Sequence, residues 1–274
     1  AESDVWGARA QSRLELAEGD LAGAITLARE SAEDLNRLSD HLWLGQLLAR
    51  DNQWEQAIEA YQRAIAIAPA DEQARLLLLR ALLTSGKREA AEAEVRNIAL
   101  YADPQQVDRV LGIAHQMLGQ SLLAKRHFEQ AVLAQPNSAQ ARRDLAAFYL
   151  LARDPALAMQ HIDHLLAMDT SQDVQAAAHI AWARRAKARL IGLSGRYSDY
   201  RQAVELLTKN ASEEALTSED LLLLAELTLP RDDPYALQQA IARFEQASTT
   251  RPLSPRERMT WAKLNLALGQ WSER

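Results

Sequence analysis

Residues 54–69 read WEQAIEAYQRAIAIAP, and within them Ala57, Tyr61, Ala64 and Pro69 are spaced by four, three and five residues. The same spacing returns at Ala124, Phe128, Ala131 and Pro136, and again at Ala240, Phe244, Ala247 and Pro252. Steps of four and three place two small residues and one aromatic ring on a single helical face. Proline lacks the amide that a helix interior needs, so each pattern marks a helix that has ended before its proline. Three copies of one packing face predict an array whose core is shared between neighbours.

Working outward from Trp54, a glycine or polar turn precedes each such helix. The turns fall at Gly19, Asn52, Gly86, Gly119 and Arg153, at intervals of 33, 34, 33 and 34 residues. Five consecutive two-helix repeats therefore keep one register from about Val5 to Thr170. Beyond Thr170 the register slips. Pro136 and Pro252 are 116 residues apart where three repeats of 34 would give 102. The surplus is assigned to a long helix from Asp173 to Leu193, to the turn Gly195–Tyr200 and to the turn Pro230–Pro234. Gly269-Gln270-Trp271 is read as the opening of a further second helix, with Trp271 in the place of Trp54. The expected division is 1–171 for five regular repeats, 172–253 for two irregular ones and 254–274 for a truncated last repeat, all in one continuous array cut from a longer protein.

The composition agrees with an all-α chain. Hydrophobic residues make up 48% but aromatics only 5%, and the apolar content is carried by Ala and Leu rather than by the β-branched and aromatic residues of strands. The formal net charge of −6 argues against a nucleic-acid partner, since phosphate binders display an excess of base. No apolar run approaches bilayer length, so no membrane insertion is expected of this segment. There is no cysteine, which removes disulfides and thiolate metal sites.

The residues resemble the tetratricopeptide repeat family. The second repeat carries the resemblance best, through Leu44, Gly45, Leu48, Trp54, Ala57, Tyr61, Ala64 and Pro69. The fourth follows with Leu111, Gly112, His115, Ala124, Phe128, Ala131 and Pro136, and the fifth with Leu145, Ala146, Tyr149 and Ala158. The third keeps Leu78, Leu82, Gly86 and Ala91, while the first has Ala28 where an aromatic is usual. The resemblance implies a right-handed α-α superhelix of antiparallel helix pairs, about seven repeats and a truncated one, with the first helices lining a concave groove. It also implies a protein-interaction scaffold with no catalytic residues, no cofactor and no metal.

No constellation of side chains points to catalysis. His161 and His164 flank Asp163 at helical spacing, but a zinc site needs a third fixed ligand. Gly86-Lys87 and Gly192-Leu193-Ser194-Gly195 lack the strand context and full spacing of a phosphate loop. Asn210-Ala211-Ser212 is a formal glycosylation acceptor, weak as a single match. Trp54 and Trp271 read as core, whereas Trp6, Trp43, Trp182 and Trp261 lie in first helices.

Charge placement is the functional signal. Projecting first helices onto the groove gathers Arg9, Arg13, Trp43, Gln46, Arg50, Arg80, Arg109, Gln116, Arg143, Arg185 and Arg189 as candidate partner-binding residues. Only five of the 31 basic residues are lysine, so the groove offers guanidinium forks suited to carboxylates or phosphates. Second helices carry acids such as Glu55, Glu59, Glu89, Glu92 and Glu129. The lysine and asparagine clamp that the family uses for peptide carboxylates is not reproduced. The expected partner is an acidic protein or peptide segment, extended or helical. The alternative is a repeat arm of a larger bacterial envelope protein, exopolysaccharide-secretion protein or multidomain enzyme, contacting an anionic polysaccharide. An open-ended array can also self-associate end to end. Compartment stays open between bacterial cytoplasm and periplasm.

Overall fold

The computed structural model describes residues 2–168, 176–192, 196–211, 216–231 and 233–272. Thr170, Asp173, Leu193, Ser194, Gly195, Ser212 and the side chains of Trp6 and Trp271, all named above, lie outside the described residues. The described elements are helical throughout, and the fold is all-α. Contacts divide the chain into two compact units, Ala1–Pro136 and Asn137–Arg274.

The first unit holds four helical hairpins. They are α1 (Glu2–Glu18) with α2 (Leu21–Leu35), α3 (Leu38–Arg50) with α4 (Trp54–Ile67), α5 (Glu72–Thr84) with α6 (Arg88–Tyr101), and α7 (Val107–Met117) with α8 (Ser121–Ala134). The second unit opens with α9 (Ala139–Leu151) and α10 (Pro155–Leu166), the fifth regular repeat. It continues with α11 (Ala176–Gly192) and α12 (Tyr197–Ala211), then α13 (Ser218–Thr228), a 3₁₀ turn at Leu229–Arg231, α14 (Pro234–Thr250) and α15 (Pro255–Ser272).

The turn register has a backbone cause. Gly19, Asn52, Gly86, Gly119 and Arg153 all adopt positive φ, between 59° and 95°. At each, the next amide reaches back to close the preceding helix, as Asp20 does to Glu15, Gln53 to Leu48, Lys87 to Leu82, Gln120 to His115 and Asp154 to Tyr149, at 2.8–2.9 Å. The turn residue's own amide bonds the carbonyl three residues earlier. This pair of bonds satisfies carbonyls that a helix end would leave orphaned and reverses the chain in two residues. Glycine enters the left-handed region without a Cβ penalty, and asparagine tolerates it. Arg153 pays that penalty. Its helix is then restarted by Asp154, which accepts the Leu157 amide at 3.0 Å, and by Pro155 in the first turn.

The core repeats with the same period. Tyr61 and Phe128 are 2% and 1% exposed, and each ring lies over a glycine of the preceding helix. A Cβ on Gly45 would come within 2.4 Å of the Tyr61 ring, and one on Gly112 within 2.6 Å of the Phe128 ring. Burial pushes the Tyr61 phenol up to about 12. In the fifth repeat the same two positions are Ala146 and Ile162, both buried, a larger seat under a smaller knob. The prolines also keep register: α4, α8 and α14 end at Ile67, Ala134 and Thr250, two residues before Pro69, Pro136 and Pro252.

The long helix expected from Asp173 to Leu193 is present over Ala176–Gly192, and the rest of that span lies outside the described residues. One expectation changes. At Gly269 no new helix opens, since α15 runs without a break to Ser272. Glycine accepts helical and left-handed backbone alike, so its presence marks a turn only where a second helix folds back.

Candidate functional site

In the second unit, four first helices line one cleft of about 840 Å³. Its floor is apolar, with Leu150 of α9, Trp182 and Leu190 of α11 and Leu222 of α13. Its cations are Arg143 of α9, Arg185 and Arg189 of α11, and Arg256 and Lys263 of α15; its carboxylates are Glu219 and Glu226 of α13.

Those charges are not equivalent. Arg185 is committed to α13, with Glu219 at 3.1 Å and Asp220 at 3.3 Å. Asp220 is buried and also takes the Asn210 side-chain amide at 2.8 Å and the Thr217 hydroxyl at 2.7 Å, in a capping box that starts α13. Arg189 meets Glu226 at 3.3 Å, an exposed pair. Arg143 lies 5.4 Å above the Trp182 ring and 3.3 Å from His179 Nδ1. Arg256 and Lys263 are exposed and have no ion-pair partner among the described residues. Arg256 stands one residue before Glu257, which is fully buried. Two guanidinium nitrogens of Arg251 hold the Glu257 carboxylate at 2.6 and 3.1 Å, and the Ser254 amide reaches it at 2.8 Å. These bonds, Arg251 first, lower the Glu257 pKa to about 2 against the desolvation that would raise it. The start of α15, which carries the two unpaired cations, is thereby fixed.

Of the expected ladder, the structure brings Arg143, Arg185 and Arg189 into this cleft. The remaining residues lie in the first unit. Arg9 approaches the buried Asp40 at 3.6 Å. Arg13 lies 5.5 Å over Trp43, whose indole N–H donates to Ser12 Oγ at 2.9 Å. Gln46 and Gln116 are half-buried, and Arg50 and Arg80 are exposed on α3 and α5. Arg13, Gln46 and Arg80 occupy one register position in successive repeats.

Arg109 is a correction. It is only 4% exposed, ion-paired with Glu72 of the preceding repeat, and its Nε donates to Gln106 at 2.9 Å. A guanidinium so enclosed joins two repeats and presents nothing to a groove. A related pair went unforeseen: Arg75 is buried with Glu94 at 2.5 Å and lies 4.9 Å over Tyr101. Its first-helix to second-helix spacing is reused by Asp108 and His127 at 2.8 Å in the next repeat, and that recurrence was visible in the sequence. Arg256 and Lys263 were missed because the last helix was set aside as truncated. The register that places Trp271 on Trp54 also places Lys263 on Gln46.

The weaker motifs resolve into packing. His161 stacks on Tyr149 with ring centroids 5.6 Å apart, and Asp163 is held by Lys187 at 2.6 Å. His115 and His127 stack in the same way one repeat earlier, at 5.2 Å. Asn210 is buried on Asp220, and Gly86 is a helix turn. Trp54 packs at the edge of the core as expected. Among the described helices none is long and apolar enough to cross a membrane.

Residues 48–112 match the family model for the tetratricopeptide repeat. No curated protein matches the sequence. Among solved structures, a tetratricopeptide repeat protein from Parabacteroides merdae is 13% identical, with 96% of this chain and 99% of that one covered and a TM-score of 0.51. Yeast Tom70 is 14% identical with a TM-score of 0.76; the match covers 98% of this chain and 54% of Tom70. Identities this low speak to fold and not to function. Residues 48–112 are thus similar to the tetratricopeptide repeat, and the left-handed turns and the glycine seat under Phe128 carry the same helix-pair architecture beyond that stretch.

Proposed function

We propose that the protein is a non-catalytic interaction scaffold and that the first-helix cleft of its second unit receives an acidic segment of a partner protein. The observation that carries this reading is the separation of charges within the cleft. Arg185 and Arg189 already have carboxylates, whereas Arg256 and Lys263 stand exposed beside an apolar floor of Leu150, Trp182, Leu190 and Leu222. A carboxylate-bearing segment with an apolar residue satisfies both features. The cleft is preformed on helices, which lowers the ordering cost of binding to that of the ligand.

The test is titration with an acetylated, amidated peptide of alternating glutamate and leucine, followed by calorimetry at low and physiological salt. Arg256→Glu with Lys263→Glu, both at exposed positions, should weaken binding at least about tenfold, because like charges across an interface are strongly disfavoured. Unchanged affinity in that double variant would remove the proposal.

A further inference from the structure

A second cleft in the same unit is built by second helices. It measures about 590 Å³ and runs between α12 and the start of α14. Tyr200 is its floor, 5% exposed, with the Arg231 guanidinium 4.8 Å from its ring and its hydroxyl 3.3 Å from Thr228 Oγ1. Its rims are Tyr197 and Tyr235, which are 57% and 70% exposed. Tyr197 and Tyr200 tilt at 38° to one another, with centroids 5.9 Å apart. Tyr197 and Tyr200 lie in the first turn of α12 and Tyr235 in the first turn of α14.

Exposed tyrosines have an apolar face and a polar tip, and two of them beside a third make a platform that no other part of the described chain covers. The remaining lining groups include hydrogen-bond donors in the amides of Gln202 and Gln239, whereas the hydroxyls of Ser198 and Thr208 already donate to Asp199 and to the Val204 and Glu205 carbonyls. The charges decide the ligand. Glu205 is paired with Lys209 at 3.1 Å, and Asp233 is used to cap α14, accepting the Tyr235 and Ala236 amides at 3.0 and 3.2 Å. Arg201 is exposed and has no ion-pair partner among the described residues, so it is the lining cation left for a ligand carboxylate, while the Asp233 carboxylate is turned into the first turn of α14.

We infer that this tyrosine cleft docks a proline-rich extended segment of a partner protein that carries one carboxylate opposite Arg201. Proline rings lie flat against tyrosine faces, and a polyproline II backbone has no internal hydrogen bonds, so its carbonyls are free to accept from the exposed tyrosine hydroxyls and the glutamine amides. The segment is already extended, which suits an open cleft that offers few contacts with which to order a flexible chain.

The experiment uses the whole chain with ring-labelled tyrosine and a short, capped proline-rich peptide bearing one glutamate, observed by NMR. Saturable shifts of the Tyr197 and Tyr235 rings are expected. Tyr235→Ala should weaken binding roughly two- to tenfold, the range of a single aromatic contact. Arg201→Glu should reverse the preference, so that a lysine version of the peptide binds better than the glutamate version. Equal binding of a peptide with alanine in place of every proline would overturn the inference. So would an Arg201→Glu variant that still favours glutamate, or shifts that never saturate.

Discussion

Gly45 and Gly112 show how much one missing methyl group does in this fold. Each is a seat cut for an aromatic ring, and the ring fills it to within normal contact only because no Cβ is there. Gly112→Val is expected to cost about 1–3 kcal/mol through overpacking, read by denaturant unfolding. In that background Phe128→Ala should cost less than in the native chain, because the two changes share one space. Additive costs would mean that the seat and the ring do not meet. Glu257 gives the residue scale its pH test. A carboxyl whose folded pKa is lowered to about 2 from 4.5 contributes stability that is complete above 4.5 and is lost as pH falls towards 2. Glu257→Gln should therefore flatten the acid limb of the thermal-unfolding profile and lower neutral stability by on the order of 3 kcal/mol. An unchanged acid limb would contradict the assigned role of Arg251.

At the scale of elements, the hairpin turn is the unit that the sequence spells most clearly. Gly19, Asn52, Gly86, Gly119 and Arg153 stand at near-constant intervals because each must enter the left-handed region at the same point of its repeat. Arg153 does so without glycine's freedom, so Arg153→Gly should raise stability by about 1 kcal/mol, measured by thermal melts. A loss of stability would place an unrecognised contact on the arginine. What could not be read was which arginines a helix buries. Arg109 and Arg143 hold equivalent positions on α7 and α9, yet Glu72 encloses the first and Trp182 lies under the second. That difference depends on a neighbour contributed by another repeat, which periodicity within one helix does not encode. Gly269 failed as a marker for a related reason: the glycine is permissive, and the fold-back of a second helix decides its conformation.

For the whole molecule, repeated packing residues establish the family of fold while the residues that vary between repeats carry the surfaces. The cations were legible as a class, and Arg143, Arg185 and Arg189 do line one cleft. Their strengths were not legible, because Glu219 and Glu226 arrive from α13 to pair with Arg185 and Arg189, while Arg143 lies over Trp182 and the exposed Arg256 and Lys263 have no ion-pair partner among the described residues. The most direct measurement of the central claim is photocrosslinking of the glutamate and leucine peptide, with the modified residues located by mass spectrometry. Crosslinks confined to α9, α11, α13 and α15, and suppressed by salt, are the predicted result. Crosslinks concentrated on second helices, or indifferent to salt, would contradict the account.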